Sequence, residues 1–201
     1  MDKILRSISY IFHPLLMPIL GVIFYFSKSP RFIPYDIMRA KLVSLLILTI
    51  LLPILLFFLL KTLGRVKSIN LETTSERILP LTLNCIVIIL VLKRILTPNQ
   101  ITELYFFFVG ILISTMSCLI LAVAKFKASI HMIAVSGVFM FFVALSIHFS
   151  ININGTLALM IIIMGAIATS RLHMKAHTYK ELIIGFFIGL LPQLILVRYW
   201  L

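Results

Sequence analysis

Acidic side chains are scarce in this chain: six Asp and Glu stand against eighteen Lys and Arg, and charged residues of both signs fill only 12% of 201 positions. That scarcity excludes a water-facing globular exterior, because hydrophobic residues reach 62% and the mean hydropathy is +1.18. Cysteine is nearly missing as well. Cys85 and Cys118 both fall inside apolar runs, which argues against a disulfide framework and reads as two buried small hydrophobes. No stretch alternates apolar and polar residues at period two, so barrel strands are excluded. No connection is long enough to hold a second domain, and neither low-complexity tracts nor internal repeats occur.

What remains is a series of apolar runs of roughly 17–22 residues, the length at which a helix crosses a hydrocarbon core of about 30 Å with its backbone bonds satisfied internally. The expected spans are 10–26, 41–61, 79–96, 103–124, 130–148, 154–170 and 182–199. His13, Pro14 and Pro18 interrupt the first, which is therefore expected to be interfacial or broken. The fold class is accordingly all-α: a single domain over 1–201, a polytopic membrane helix bundle with six or seven transmembrane helices. Lys3 and Arg6 precede the first apolar stretch as in a signal peptide, but no small-residue cleavage site follows, so the segment is read as retained.

The formal charge of +12 lies almost wholly in the short connections, where Lys and Arg meet lipid phosphates and orient the chain. A membrane is therefore the expected partner and nucleic acid is not; the oligomeric state stays open. With seven spans, the connections 62–78, 125–129 and 171–181 share the face of the N-terminus. This face gathers Lys61, Arg65, Lys67, Arg77, Lys125, Lys127, Arg171, Lys175 and Lys180 with Ser129, His131, His173, His177, Glu72, Glu76 and Glu181. The opposite face, with Lys28, Arg31, Arg39, Lys41, Lys93 and Arg94, is expected to hold little other chemistry. His13 and His148 read as polar residues at helix ends, and Tyr199 with Trp200 as an interfacial belt.

Two polar clusters stand out. One is 170–181, Ser-Arg-Leu-His-Met-Lys-Ala-His-Thr-Tyr-Lys-Glu, between two apolar spans; the other is Lys127-Ala128-Ser129-Ile130-His131 at the mouth of the fifth. Topology needs Lys or Arg there but not His with Glu, and ionisable groups at the edge of a bundle are candidate functional sites. Ser170-Arg171, five residues, His177, three residues and Glu181 resembles the third signature of the type 2 phosphatidic acid phosphatase family, Ser-Arg, five residues, His, three residues, Asp. Ala128-Ser129-Ile130-His131 is similar to its second signature, Pro-Ser-Gly-His. Glu181 stands in place of Asp, and Ala128 and Ile130 in place of Pro and Gly. The first signature, Lys, six residues, Arg-Pro, has its nearest counterpart in Lys67 to Pro80, where Ile78 and Leu79 separate Arg77 from the proline. The likeness covers 125–201 best. It implies hydrolysis of a lipid phosphate or pyrophosphate, such as phosphatidic acid, phosphatidylglycerol phosphate, a polyprenyl pyrophosphate or a lipid A phosphate, through a phosphohistidine and without cofactor or metal. The implied location is a bacterial cytoplasmic membrane.

The residue types suit that chemistry in their own right. A nucleophilic imidazole needs one nitrogen free toward phosphorus while the other donates to a group that fixes its tautomer. Glu181, four residues after His177, is one helical turn away. Arg171 offers a planar fork for two phosphoryl oxygens. His131 is the expected general acid, Ser129 an expected ligand of an equatorial oxygen, and Lys127 and Arg77 added charge on the substrate phosphate. His173, His177 and Glu181 recur every fourth residue, but on one helix the outer two are about 12 Å apart in rise, too far to close on one ion at roughly 2 Å. Two other classes compete: a silent relative that binds anionic headgroups, and a small carrier, whose ionisable groups are expected near the midplane rather than at one end.

Overall fold

The computed structural model describes residues 2–68, 71 and 73–201, leaving out the side chains of Asp2, Lys3, Ile4 and Arg6. Glu72 and the Lys3 and Arg6 side chains, singled out above, therefore lie outside the described part. Among the described residues all regular structure is helical, and seven helical segments are long and apolar enough to cross a membrane. The chain is thus an all-α polytopic membrane bundle, with seven candidate spans among the described residues.

The prolines shape the first two spans. Helix α1 (Asp2–Ile11) stops before a 3-10 turn at Pro14–Leu16, and α2 (Met17–Lys28) resumes with Pro18 in its first turn, where the missing N–H has no helical partner to lose. The second span joins α3 (Tyr35–Leu46) to α4 (Leu52–Thr62) through one π turn at Ile47–Leu51, just ahead of Pro53. A proline ring would strike the carbonyl four residues back, and the widened turn relieves that clash.

Helix α5 (Thr74–Arg94) begins earlier than the expected residue 79. The Glu76 amide donates to the Thr73 hydroxyl at 3.3 Å, a side-chain cap that starts the helix, and Pro80 lies inside it. Helices α6 (Thr102–Val123), α7 (Ile130–His148), α8 (Asn154–His173) and α9 (Tyr179–Leu196) follow with short turns between them. Because α8 runs on to His173, Ser170 and Arg171 are helical rather than part of a loop.

Helix α7 occupies the centre of the bundle, with Val135, Phe141, Ala144 and Leu145 fully buried. Its closest neighbour is α9. Gly185 and Gly189, one helical turn apart, let the two backbones approach in the manner of small residues in membrane helix pairs. A Cβ at Gly185 would lie 2.9 Å from the Ser129 carbonyl oxygen, and one at Gly189 would collide with the Ile133 carbonyl and the Ser136 hydroxyl. Ser136 fixes the register by donating to the Phe186 carbonyl at 2.9 Å. This pairing places the start of α7 beside the start of α9.

Candidate functional site

Two turns carry the sequence clusters, and both leave their helices in the same way. After α6, Lys125 takes a left-handed φ of 62°, with its amide bonded to Ala122 and that of Phe126 to Leu121. After α8, Lys175 takes φ 51°, with its amide bonded to Leu172 and that of Ala176 to Arg171. These are Schellman-type ends, normally built with glycine, and they reverse the chain sharply. The two turns then meet: the Ser129 amide donates to the Glu181 carbonyl at 3.1 Å. Helix α5 joins them through Arg77, whose Nη1 donates to the Ala128 carbonyl at 2.7 Å and whose Nε donates to that of Leu71 at 2.9 Å.

His177 and Glu181 form the pair their spacing predicts. The His177 Nδ1 lies 3.0 Å from Glu181 Oε2, which also accepts from the Thr178 amide at 2.9 Å. The same carboxylate completes a capping box with the Thr178 hydroxyl, so the start of α9 itself fixes the acid. The His177 side chain is 1% exposed and that of Glu181 18%. Burial, reinforced by Arg77, Arg171 and Lys127, pushes the His177 imidazole down to about 3, while the Lys127 carbonyl beside it pulls the other way. The ring is neutral at physiological pH, and in the tautomer that donates to Glu181 its Nε2 keeps a lone pair.

His177 opens onto a cavity of about 1100 Å³. Arg77, Lys127, His131, Arg171 and Lys175 share its wall, and no acidic side chain among the described residues does. From this basic end the cavity runs between α4, α5, α6 and α7 along apolar residues such as Phe57, Leu81, Ile88 and Ile111. Arg171 is 6% exposed and its Nε has no hydrogen-bond partner among the described residues, a cation donor left open in a water-poor place.

The expected site residues thus converge, with one exception in orientation. Ser129 is fully buried against Gly185, behind the cavity wall, and its hydroxyl finds no partner among the described residues. Arg77 is on the wall but ties two backbone carbonyls. His131 Nε2 lies 3.2 Å from the Ser9 carbonyl, an acceptor, so Nε2 carries a hydrogen and Nδ1 is the nitrogen left for proton transfer. Lys127 contributes to the wall from the 124–129 turn. Among the described residues no three His, Cys, Asp or Glu side chains come close enough together to hold a metal ion.

Three features escaped the sequence reading. The N-terminal segment reaches the site, bringing Ser9, Tyr10 and His13 to the cavity wall. Ser170, part of the quoted signature, faces α1: its hydroxyl donates to the Leu5 carbonyl at 2.6 Å and pairs with the Ser9 hydroxyl at 2.8 Å. Finally, the opposite end is not devoid of chemistry, contrary to expectation. Glu103, fully buried at the start of α6, receives Arg31 at 2.7 Å, His148 at 3.1 Å and the Tyr25 hydroxyl at 3.1 Å. A lone acid opening an apolar span was the available signal, since it has to be paired. Nearby, Lys41 is anchored through Nζ to the Ile95 carbonyl at 2.6 Å and to Gln100 at 2.8 Å.

No family model, no curated protein and no solved structure matches this chain.

Proposed function

We propose that this protein is a membrane-embedded phosphohydrolase acting on a phosphate or pyrophosphate ester of a lipid. One observation carries the reading: a cavity that is apolar along the spans ends in Arg77, Lys127 and Arg171, with no acid among the described residues of its wall, against a buried imidazole held by a carboxylate. Concentrated positive charge in a poorly hydrated place calls for an anion, and the apolar remainder calls for a hydrocarbon chain on the same molecule. The resemblance of 170–181 and 128–131 to the type 2 phosphatidic acid phosphatase signatures points to the same ester class.

In this reading the His177 Nε2 lone pair attacks phosphorus and forms an N–P bond as the P–O bond to the lipid breaks. His131, entering the cycle as the imidazolium, gives its Nδ1 proton to the departing oxygen and becomes neutral. Water, losing a proton to the same nitrogen, then attacks phosphorus, frees inorganic phosphate and restores His177. Arg171 holds the phosphoryl oxygens throughout and Lys127 adds charge, the electrostatic help on which phosphoryl transfer mainly depends. Glu181 keeps the nucleophile in the reactive tautomer. All of these groups belong to the protein. A bacterial cytoplasmic membrane supplies esters of this kind.

A second reading, a binder of anionic headgroups without turnover, is favoured by the absence of Ser129 from the cavity wall and by Arg77 bonding to backbone. Phosphate release separates the two. Detergent-solubilised protein is expected to free phosphate from at least one of phosphatidic acid, phosphatidylglycerol phosphate, a polyprenyl pyrophosphate and lipid A, and His177→Ala to stop it while lipid binding persists. Binding by the native chain with no release from any of the four would favour the binder.

A further inference from the structure

We infer that His13 is a third imidazole of the site and donates a hydrogen bond from Nε2 to the anion held between Arg171 and His177. The inference rests on the phosphoryl reading above and adds a substrate contact to it. Its origin is the break in the first span. Phe12 ends the turn of α1, and Pro14 cannot continue a helix through its own nitrogen, so His13 adopts extended backbone with φ −66° and ψ 138° as the cap of the Pro14–Leu16 turn. That geometry, together with the Ser9–Ser170 tie to α8, carries His13 to the cavity wall that also holds Arg171 and His177. Its ring meets that of His131 edge to face, with centroids 5.8 Å apart.

The hydrogen bonds decide what this ring offers. The Leu15 amide donates to His13 Nδ1 at 3.3 Å, so Nδ1 presents a lone pair and the ring hydrogen resides on Nε2. His131 is the reverse case in its neutral form: its Nε2 hydrogen points to the Ser9 carbonyl, and Nδ1 is a lone pair. Among the described residues, the neutral ring of this pair whose N–H has no hydrogen-bond acceptor is therefore His13. It donates a hydrogen bond without giving up the proton, as a fixed dipole does for charge on a transferring phosphoryl group. Arg171, Arg77 and Lys127 attract the anion; His13 fixes where one of its oxygens rests.

The two amide substitutions separate donor from cap. In His13→Asn the side-chain oxygen takes the place of Nδ1 and keeps the Leu15 bond, Asn being a favoured cap, but the far edge of the ring is gone. In His13→Gln the amide NH₂ reaches the position of Nε2 and the cap is lost. The probes are orthovanadate, as an analogue of the transferring group, and phosphatidic acid in mixed micelles, both with the purified full chain. His13→Asn is expected to keep its unfolding temperature, lose about 10²-fold in kcat/KM and weaken vanadate inhibition to a similar degree, with much of both returning in His13→Gln. If His13→Asn also unfolds early, recovery in His13→Gln still assigns the donor. Native kcat/KM and native vanadate affinity in His13→Asn would overturn the inference, as would loss in both variants alike. If the native chain hydrolyses nothing yet binds vanadate, and His13→Asn weakens that binding, the hydrolase reading fails while the anion contact stands; if vanadate does not bind the native chain, both fall.

Discussion

His177 and Glu181 are four residues apart at the start of a helix, and that is why the pair was legible: helical periodicity brings such positions together whatever surrounds them. Ser129 was less legible, because whether a residue at a helix start reaches a cavity depends on the neighbour packed against it, here Gly185 against the Ser129 backbone. His13 was illegible for a different reason, since only the packing of α1 against α8 carries it to the site. At this scale Glu181→Gln is expected to lower kcat about 10–100-fold with little change in KM, because the amide still accepts a hydrogen bond but no longer stabilises developing charge on the ring. Steady-state kinetics check this. The pH dependence follows from burial of His177. With its folded value near 3 rather than 6.5, the nucleophile stays unprotonated, so the acid limb of activity should lie below about pH 5 as far as this group sets it. Stability moves with the same sign: between 6.5 and 3 the unfolded chain binds a proton the folded one does not, so stability falls as pH falls. Thermal unfolding at pH 7 and pH 5 should show a smaller drop for His177→Gln than for the native chain.

Element positions came through well from the sequence wherever an apolar run was uninterrupted, because membrane thickness sets run length. They came through poorly where prolines stand. The third span was expected from residue 79, yet the Thr73 cap begins α5 earlier and turns Arg77 into a helical residue facing the 124–129 turn. The first span broke, as its prolines foretold, but what the break does for the site could not be read from composition. The element pair that matters most is α7 with α9. Its signal, Gly185 and Gly189 at a four-residue spacing, was present in the sequence. Gly189→Ala is expected to destabilise the protein by about 1–3 kcal/mol, since its Cβ would meet backbone and the Ser136 hydroxyl, neither of which can withdraw freely. Activity should fall with it, because the same packing brings His131 and His177 together. Gly165→Ala on α8, where a Cβ meets nothing within 4 Å, is the control and should leave unfolding in detergent unchanged.

The whole molecule is polarised along the membrane normal. One end gathers Arg77, Lys127 and Arg171 around an apolar-walled cavity, and the other closes on the Glu103 cluster, where Arg31, His148 and Tyr25 share one buried carboxylate. The first arrangement suits a ligand; the second suits structure, tying α2, the 29–34 connection, α6 and α7 into one end plate. Glu103→Ala, which leaves Arg31, His148 and Tyr25 without their shared acceptor, is expected to cost about 3 kcal/mol in stability while vanadate affinity at the far end holds. Thermal unfolding and vanadate inhibition of the same preparation test both halves. That polar side chains would concentrate at one end was legible from the alternation of short connections; that a cavity would run from them along apolar helix faces was not, because it depends on how α4, α5, α6 and α7 pack. The most direct test of the central claim is to trap the covalent intermediate. Acid-stable phosphoenzyme is not expected, so the native chain is mixed with a radiolabelled lipid phosphate, quenched in alkali and mapped: label on His177, absent in His177→Ala and in Arg171→Ala, is the predicted result. Phosphate release by the native chain with no label on His177, or with undiminished turnover in His177→Ala, would contradict it.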